Sequence, residues 1–290
     1  MHLGFSVVNK KHIVIIGCGA AGGTAAQFAR KTDRKAQITI IEQGPYPHYS
    51  KCGIPYAISG SIPSFSNLIE FSTEWFAKAR ITLMLNTTAS KIDHNNKKIS
   101  IKTGTKSTNI QYTKLILAPG AHPLIPPISG IPTDHPLPKG IHPVRTIDHG
   151  EHISQDIQKG KPAIIIGAGL IGLEMADALT QRGMKVTVIE TLPYILANSL
   201  DEDMAQLVHQ FLTDYITVYP NHTVQKIEIK NNITTAVHIT DNTTGKSTKL
   251  PAALIILATG TRPNTLLAQN LGCRIGSTGG IHINNKTETS

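Results

Sequence analysis

Apolar residues in this chain gather into short blocks, and each block ends in a recognisable break. The first, His12-Ile13-Val14-Ile15-Ile16, runs into Gly17-Cys18-Gly19-Ala20-Ala21-Gly22 and then an alanine-rich stretch to Arg30. This order predicts strand, glycine turn and helix. A second strand is predicted over Ala36–Ile41 and another over Leu115–Leu117, just before Ala118-Pro119-Gly120. Between them, alternation from Ile99-Ser100-Ile101 to Tyr112, with turns at Asn95-Asn96 and Thr103-Gly104, predicts a small antiparallel meander.

The whole order then recurs. Pro162–Ile166 precedes Gly167-Ala168-Gly169-Leu170-Ile171-Gly172, and Lys185–Ile189 supplies the next strand. Val224, Ile227, Ile229, Ile233, Val237 and Ile239 mark a second meander between Asn221 and Lys249, and Leu254–Leu257 leads to Ala258-Thr259-Gly260. Within this half, Leu200–Leu212 places Met204, Leu207, Val208, Phe211 and Leu212 on one face, the pattern of an amphipathic helix.

Each second strand ends in an acid, Glu42 or Glu190. Gly17 recurs as Gly167, Glu42 as Glu190 and Gly120 as Gly260, so the chain reads as two copies of one nucleotide-binding fold. The chemistry of the motif is specific. Its first glycine permits a tight turn, the second lets backbone approach a pyrophosphate and the third allows close helix–strand contact, while the acid accepts from ribose hydroxyls. Seven prolines between 121 and 150 (Pro123, Pro126, Pro127, Pro132, Pro136, Pro138 and Pro143) predict a connector over the surface. The expected division is a first nucleotide domain over 1–125, a connector over 126–150, a second nucleotide domain over 151–270 and a return segment over 271–290.

Composition narrows the class. With 290 residues, 40% hydrophobic and 16% charged, and a mean hydropathy of −0.06, the chain has the balance of a soluble two-domain protein. No apolar run approaches the ~18 residues of a membrane span, and MHLGFSVVNKK is too short for a secretory leader, so a cytoplasmic protein is expected. The net charge of +9 favours anionic partners, but the basic residues are scattered and lack a nucleic-acid motif. Phosphate-bearing small molecules, or a merely solvated basic surface, are what this charge implies. His149 and His152 stand three apart with no third ligand at metal spacing, so no metal is expected.

Cys18, Cys52 and Cys273 cannot all pair and form no CxxC, which puts any redox role on one thiol. Cys52 is the candidate. It sits in His48-Tyr49-Ser50-Lys51-Cys52-Gly53-Ile54-Pro55, just before a predicted helical turn and beside Lys51, where dipole and ammonium both favour a thiolate.

Two fingerprints, the single cysteine of YSKCGIPYAISG, LILAPGAHP and ILATGTRPN together resemble the pyridine nucleotide-disulfide oxidoreductases with one active-site cysteine. Coenzyme A disulfide reductases, NADH-dependent persulfide reductases and NADH oxidases belong to that branch. The resemblance implies two Rossmann-like α/β domains, each with a small antiparallel meander. It implies FAD in the first copy, at Gly17, Gly19, Ala20, Gly22, Glu42, Ala118 and Gly120, with Arg145 before the second fingerprint. It places the nicotinamide cofactor at Gly167, Gly169, Leu170, Ile171, Gly172, Glu190 and Gly260, with Glu174 near the nicotinamide and Cys52 facing the flavin. NADH is preferred because Thr191 and Leu192 follow Glu190 with no arginine for a 2′-phosphate; Arg182 and Lys185 leave NADPH open. Thr24, Lys31 and Lys51 match positions that meet coenzyme A.

The implied reaction carries hydride from NADH through FAD to Cys52, which reduces a small disulfide or persulfide. An NADH oxidase, a ferredoxin- or rubredoxin-reductase-like flavoprotein and a catalytically incomplete nucleotide-binding fragment are the alternatives. Ala20 stands where NADH peroxidases and water-forming oxidases carry histidine, which lowers the oxygen and peroxide readings. Lys51 replaces the asparagine usual before the cysteine in coenzyme A disulfide reductases. The family continues past a segment like Gly280–Asn284 into a second flavin loop and a dimerisation domain, so 1–290 reads as a truncated member whose full-length form is a homodimer.

Overall fold

A computed structural model describes residues 11–132 and 136–290. The opening segment, expected to be too short for a leader, and residues 133–135 of the connector lie outside the described residues.

The first copy runs β1 (His12–Ile16), α1 (Ala20–Thr32), β2 (Gln37–Ile41), α2 (Ile54–Ser59), α3 (Thr73–Lys78), β3 (Thr82–Met84), β4 (Thr87–Asp93), β5 (Lys98–Thr103), β6 (Lys106–Gln111) and β7 (Lys114–Leu117). Then β8 (Ala121–Pro123), β9 (Ile141–Pro143) and α4 (Ile147–Asp156) lead onward. The second copy runs β10 (Pro162–Ile166), α5 (Leu170–Gln181), β11 (Lys185–Ile189), α6 (Glu202–Leu212), β12 (Thr217–Tyr219), β13 (His222–Lys230), β14 (Ile233–Asp241), β15 (Ser247–Pro251) and β16 (Leu254–Leu257). β17 (Thr261–Pro263) and α7 (Leu266–Asn270) follow.

Two compact units result, both discontinuous in sequence. Among the described residues, one contains 11–50, Ile69–His122 and Pro263–Ser290; the other contains Lys51–Leu68 and those between Pro123 and Arg262.

In the first unit four parallel strands lie in the order β3-β2-β1-β7. Ile15, Ile38 and Ile40 point to one face, where they pack with Ala26 of α1 and Phe76 of α3. Val14, Ile16 and Ile41 point to the other, where Ala89, Ile99 and Ile101 of the β4-β5-β6 meander cover them. A parallel sheet buried on both faces needs apolar residues at successive positions, which is why these strands read as blocks rather than alternations. Arg30 closes the end of α1: its guanidinium donates to the backbone oxygens of Asp33, Arg34, Ala36, Ala79 and Arg80, joining that helix end to the end of α3.

The second unit repeats the plan with one strand added, in the parallel order β12-β11-β10-β16-β9. Ile164, Ile166 and Leu257 pack against Val224, Ile227, Val237 and Ile239 of the β13-β14-β15 meander. The meander enters at the same point of the chain in both copies, between the edge strand and the strand on the far side of the first, so the sequence repeat is a repeat of topology. Each sheet with its helices is a Rossmann-like domain.

The proline-rich stretch is more than a surface connector. Ile128 and Ile141 are buried in the core of the second unit, and the Ile227 amide donates to Ser129 O. Gly130, at φ +98°, passes so close to Ile227 O that a Cβ would overlap it. Extended, proline-rich chain has few amides to satisfy and fits along an existing strand edge.

The helix predicted over 200–212 forms as α6, but much of its apolar face is open. Ala205 is buried and Val208 and Leu212 are half-buried, while Met204, Leu207 and Phe211 are exposed, Phe211 by 66%. Periodicity shows that a helix has an apolar face; it carries no information on what covers it.

Candidate functional site

Both glycine turns have the same construction. Gly17 and Gly167 take positive φ, +101° and +104°, and a Cβ on either would collide with the carbonyl of Ala118 or Ala258. At Gly22 and Gly172 a Cβ would overlap the carbonyl oxygen of Gly17 or Gly167. The middle glycines differ: a Cβ at Gly19 or Gly169 meets nothing within 4 Å. First and third glycines are therefore excluded from substitution by the protein's own backbone, and the second borders open space.

That space lies at a helix N-terminus. Gly19 and Gly169 are the N-caps of α1 and α5, neither helix has a side-chain cap, and neither has an acid in its first turn. The first amides thus keep their donors for a ligand, as a pyrophosphate requires. Ala20, Leu170 and Ile171 are exposed at these mouths, Leu170 by 64%.

The acids are held in matching ways. Glu42 Oε2 accepts from the Cys18 amide at 2.7 Å and Oε1 from the Gly44 amide at 2.8 Å. Glu190 Oε2 accepts from the Ala168 amide at 2.7 Å and Oε1 from the Leu192 amide at 2.9 Å. Each carboxylate is fixed beside its glycine turn with lone pairs remaining for hydroxyl donors. The residues present therefore fit one dinucleotide in each unit.

Ala118 and Ala258 form the floor of the turns, followed by Gly120 at φ +68° and Gly260 at φ +104°. In the first unit Asn264 secures this loop: its side-chain amide donates to Pro119 O and its backbone amide to Gly120 O. No local signal in the sequence marks this role, because Asn264 lies 145 residues from Pro119.

Cys52 is exposed in a short 3₁₀ turn, Lys51–Gly53, that opens directly into α2. Leu68 occupies the space a Cβ on Gly53 would need, and α2 packs on α4 and α5. Gly150 of α4 makes that contact close, since a Cβ there would press on Phe65 and come within 3.1 Å of Ile54 Cγ2. Glu174 is half-buried on α5, and Arg145 is half-buried one residue before Thr146, the N-cap of α4. The other thiols are differently placed. Burial, reinforced by the Glu42 charge, pushes Cys18 up to about 12, so it stays a thiol. Cys273 is half-buried.

Thr24 and Lys31 share one exposed face of α1 with Phe28, over whose ring the Lys31 ammonium sits at 5.0 Å from the centroid. Lys51 belongs to the other unit. Arg182 and Lys185 are far from the Glu190 carboxylate. Arg182 follows the last residue of α5, about 18 Å from its N-terminus, and Lys185 opens β11, whose other end precedes Glu190.

A family model described as pyridine nucleotide-disulphide oxidoreductase matches residues 11–290. An NADH oxidase of Methanocaldococcus jannaschii is 38% identical over 96% of this chain and 60% of its own length. A CoA-dependent NAD(P)H sulfur oxidoreductase of Pyrococcus abyssi is 34% identical over 97% of this chain and 60% of its own. Among solved structures, an NAD-dependent persulfide reductase from A. fulgidus superposes with a TM-score of 0.89 at 33% identity, over 96% of this chain and 51% of that one. The chain thus spans about 60% of the length of the curated relatives it matches.

Proposed function

This chain belongs to the pyridine nucleotide-disulphide oxidoreductase family, and from that premise we propose that it carries electrons from NADH through FAD to Cys52, which reduces a small disulfide or persulfide. The observation that carries this reading is an exposed cysteine on its own turn, in a chain with two glycine turns built for dinucleotides. FAD, when bound, supplies the hydride acceptor and the route to single-site sulfur chemistry.

The chain's own residues do the rest. Gly19 and Gly169 leave room for the phosphates, the amides of α1 and α5 receive them, and Glu42 and Glu190 accept from ribose hydroxyls. Arg182 and Lys185 sit at the opposite end of their elements from Glu190, and the segment Thr191–Leu200 contains no cation, which supports NADH over NADPH. The Cys52 thiolate attacks one sulfur of the acceptor, expelling a thiolate and leaving a mixed disulfide, and two electrons and a proton then cleave that bond, releasing the second thiol and restoring the Cys52 thiolate. Lys31, Phe28 and Thr24 present a cation, a ring and a hydroxyl on one face, which suits an acceptor with an anionic aromatic portion such as coenzyme A.

Cys52→Ser tests the assignment. The variant is expected to bleach its flavin bands with NADH yet lose reduction of coenzyme A disulfide or persulfide. Undiminished disulfide turnover would remove Cys52 from the reaction. The second reading, an oxygen-reducing NADH oxidase, is favoured by the 38% identity to the Methanocaldococcus jannaschii protein of that name, and predicts NADH-dependent oxygen consumption that survives a lack of disulfide acceptor.

A further inference from the structure

We propose that Arg182 is the positioning residue of the Cys52 turn, acting through α2 from the far end of the helix that opens at the second glycine turn. The inference rests on the assignment of Cys52 as the reacting thiol. Its structural basis is independent of that assignment.

Cys52 reaches the body of the second unit through α2, a helix of six residues. A helix this short has no stability of its own and is held by its packing and its ends. Its final carbonyls are satisfied one by one. Tyr56 O accepts from the Ile62 amide at 3.0 Å, and Ala57 O accepts from the amide of Gly60, which closes the helix at φ +91°. Ile58 O takes its donor from outside the segment: Arg182 Nη1, at 2.7 Å and 124 residues away. Ile58 itself is fully buried, so removing that donor leaves a carbonyl of a buried residue without its charged partner.

Arg182 is well placed for this and poorly placed for the alternative suggested by its proximity to Glu190 in sequence. It caps α5, and α2 packs along α5. A single rigid helix therefore begins at the Gly169 turn and ends by gripping the helix that follows Cys52. Arginine suits the position because its planar donor group stays charged and directional, whereas a lysine ammonium reaches the same carbonyl as a mobile single point.

The test compares Arg182→Met and Arg182→Lys with the wild-type chain by hydrogen exchange of the peptide spanning 51–62. Arg182→Met is expected to speed exchange there on the order of tenfold, with the β10 and β11 peptides unchanged, and Arg182→Lys to recover most of the protection. With cofactors bound, kcat for disulfide reduction is expected to fall in the methionine variant while the KM for NADH holds. Unchanged exchange over 51–62 would overturn the inference, as would equal loss in both variants or a uniform rise across the unit. If Arg182→Met fails to fold, protection of 51–62 in Arg182→Lys decides: wild-type protection supports the proposal, and protection lost together with the rest of the unit overturns it. Normal exchange effects combined with full turnover by Cys52→Ser would instead strike the assignment of Cys52 and leave the contact standing.

Discussion

A methyl group separates the roles of the glycines in each turn. At Gly172 it has nowhere to go, because the obstacle is the Gly167 carbonyl rather than a flexible side chain. Gly172→Ala should lower stability by about 1–3 kcal/mol or more, read as a shifted urea midpoint. At Gly169 the methyl enters open space, so Gly169→Ala should stay within about 1 kcal/mol of wild type while binding of NADH weakens markedly in a fluorescence titration. Loss of stability in both would mean that the middle glycine is not reserved for a ligand. These roles were legible in the sequence, since a tight turn depends on residues a few positions apart. The partners of Asn264 and Arg182 were not, because each meets its carbonyl across more than a hundred residues. The histidines add a pH dependence. Burial holds His12, His48, His142 and His149 below the usual imidazole value, against opposing help to His142 from Asp156. Below about pH 6.5 the unfolded chain therefore binds protons that the folded chain refuses, and stability should fall as pH drops through the folded values. Urea midpoints at pH 7.5 and 5.5 check the sign. His149, whose buried Nδ1 has no partner, makes the sharpest control: His149→Gln should flatten the profile.

At the scale of elements, α6 separates pattern from burial. Leu207 points outward, so Leu207→Ser should change stability by no more than about 0.5 kcal/mol, whereas Ala205→Leu, on the buried side, should cost about 1–3 kcal/mol. A loss of several kcal/mol at Leu207 would show that the face is covered. The existence of α6 was readable from its spacing, as were the central strands β1, β2, β7, β10, β11 and β16 and both meanders; the three-residue strands β3, β8, β9, β12 and β17 were too short to show a pattern. The exposure of α6 was not readable, because coverage is set by neighbours that the helix sequence does not encode. The proline-rich stretch teaches the same lesson in reverse: proline density argued for a path over the surface, yet Ile128 and Ile141 anchor it in a core.

Across the whole molecule, the repeat was the most legible feature, because two copies of one topology impose the same glycines, acids and apolar blocks in the same order. Less visible was the exchange of segments: Lys51–Leu68 belongs with the second unit, and Pro263–Ser290 with the first. In that last segment Leu267 of α7 packs against the meander side of the first unit. A chain ending at Arg262 should therefore lose protection in β4–β6 by hydrogen exchange while β10–β16 keep theirs; equal loss in both would contradict the division. Synthesis runs from the amino end, and this gives the exchange of segments a temporal meaning. Every residue of the second unit has left the ribosome before the first unit receives its closing piece. The unit whose strands are made first is thus the one that finishes last: its sheet and meander are all synthesised by Leu117, yet the cover that α7 lays on the meander side waits for Pro263–Ser290 to arrive.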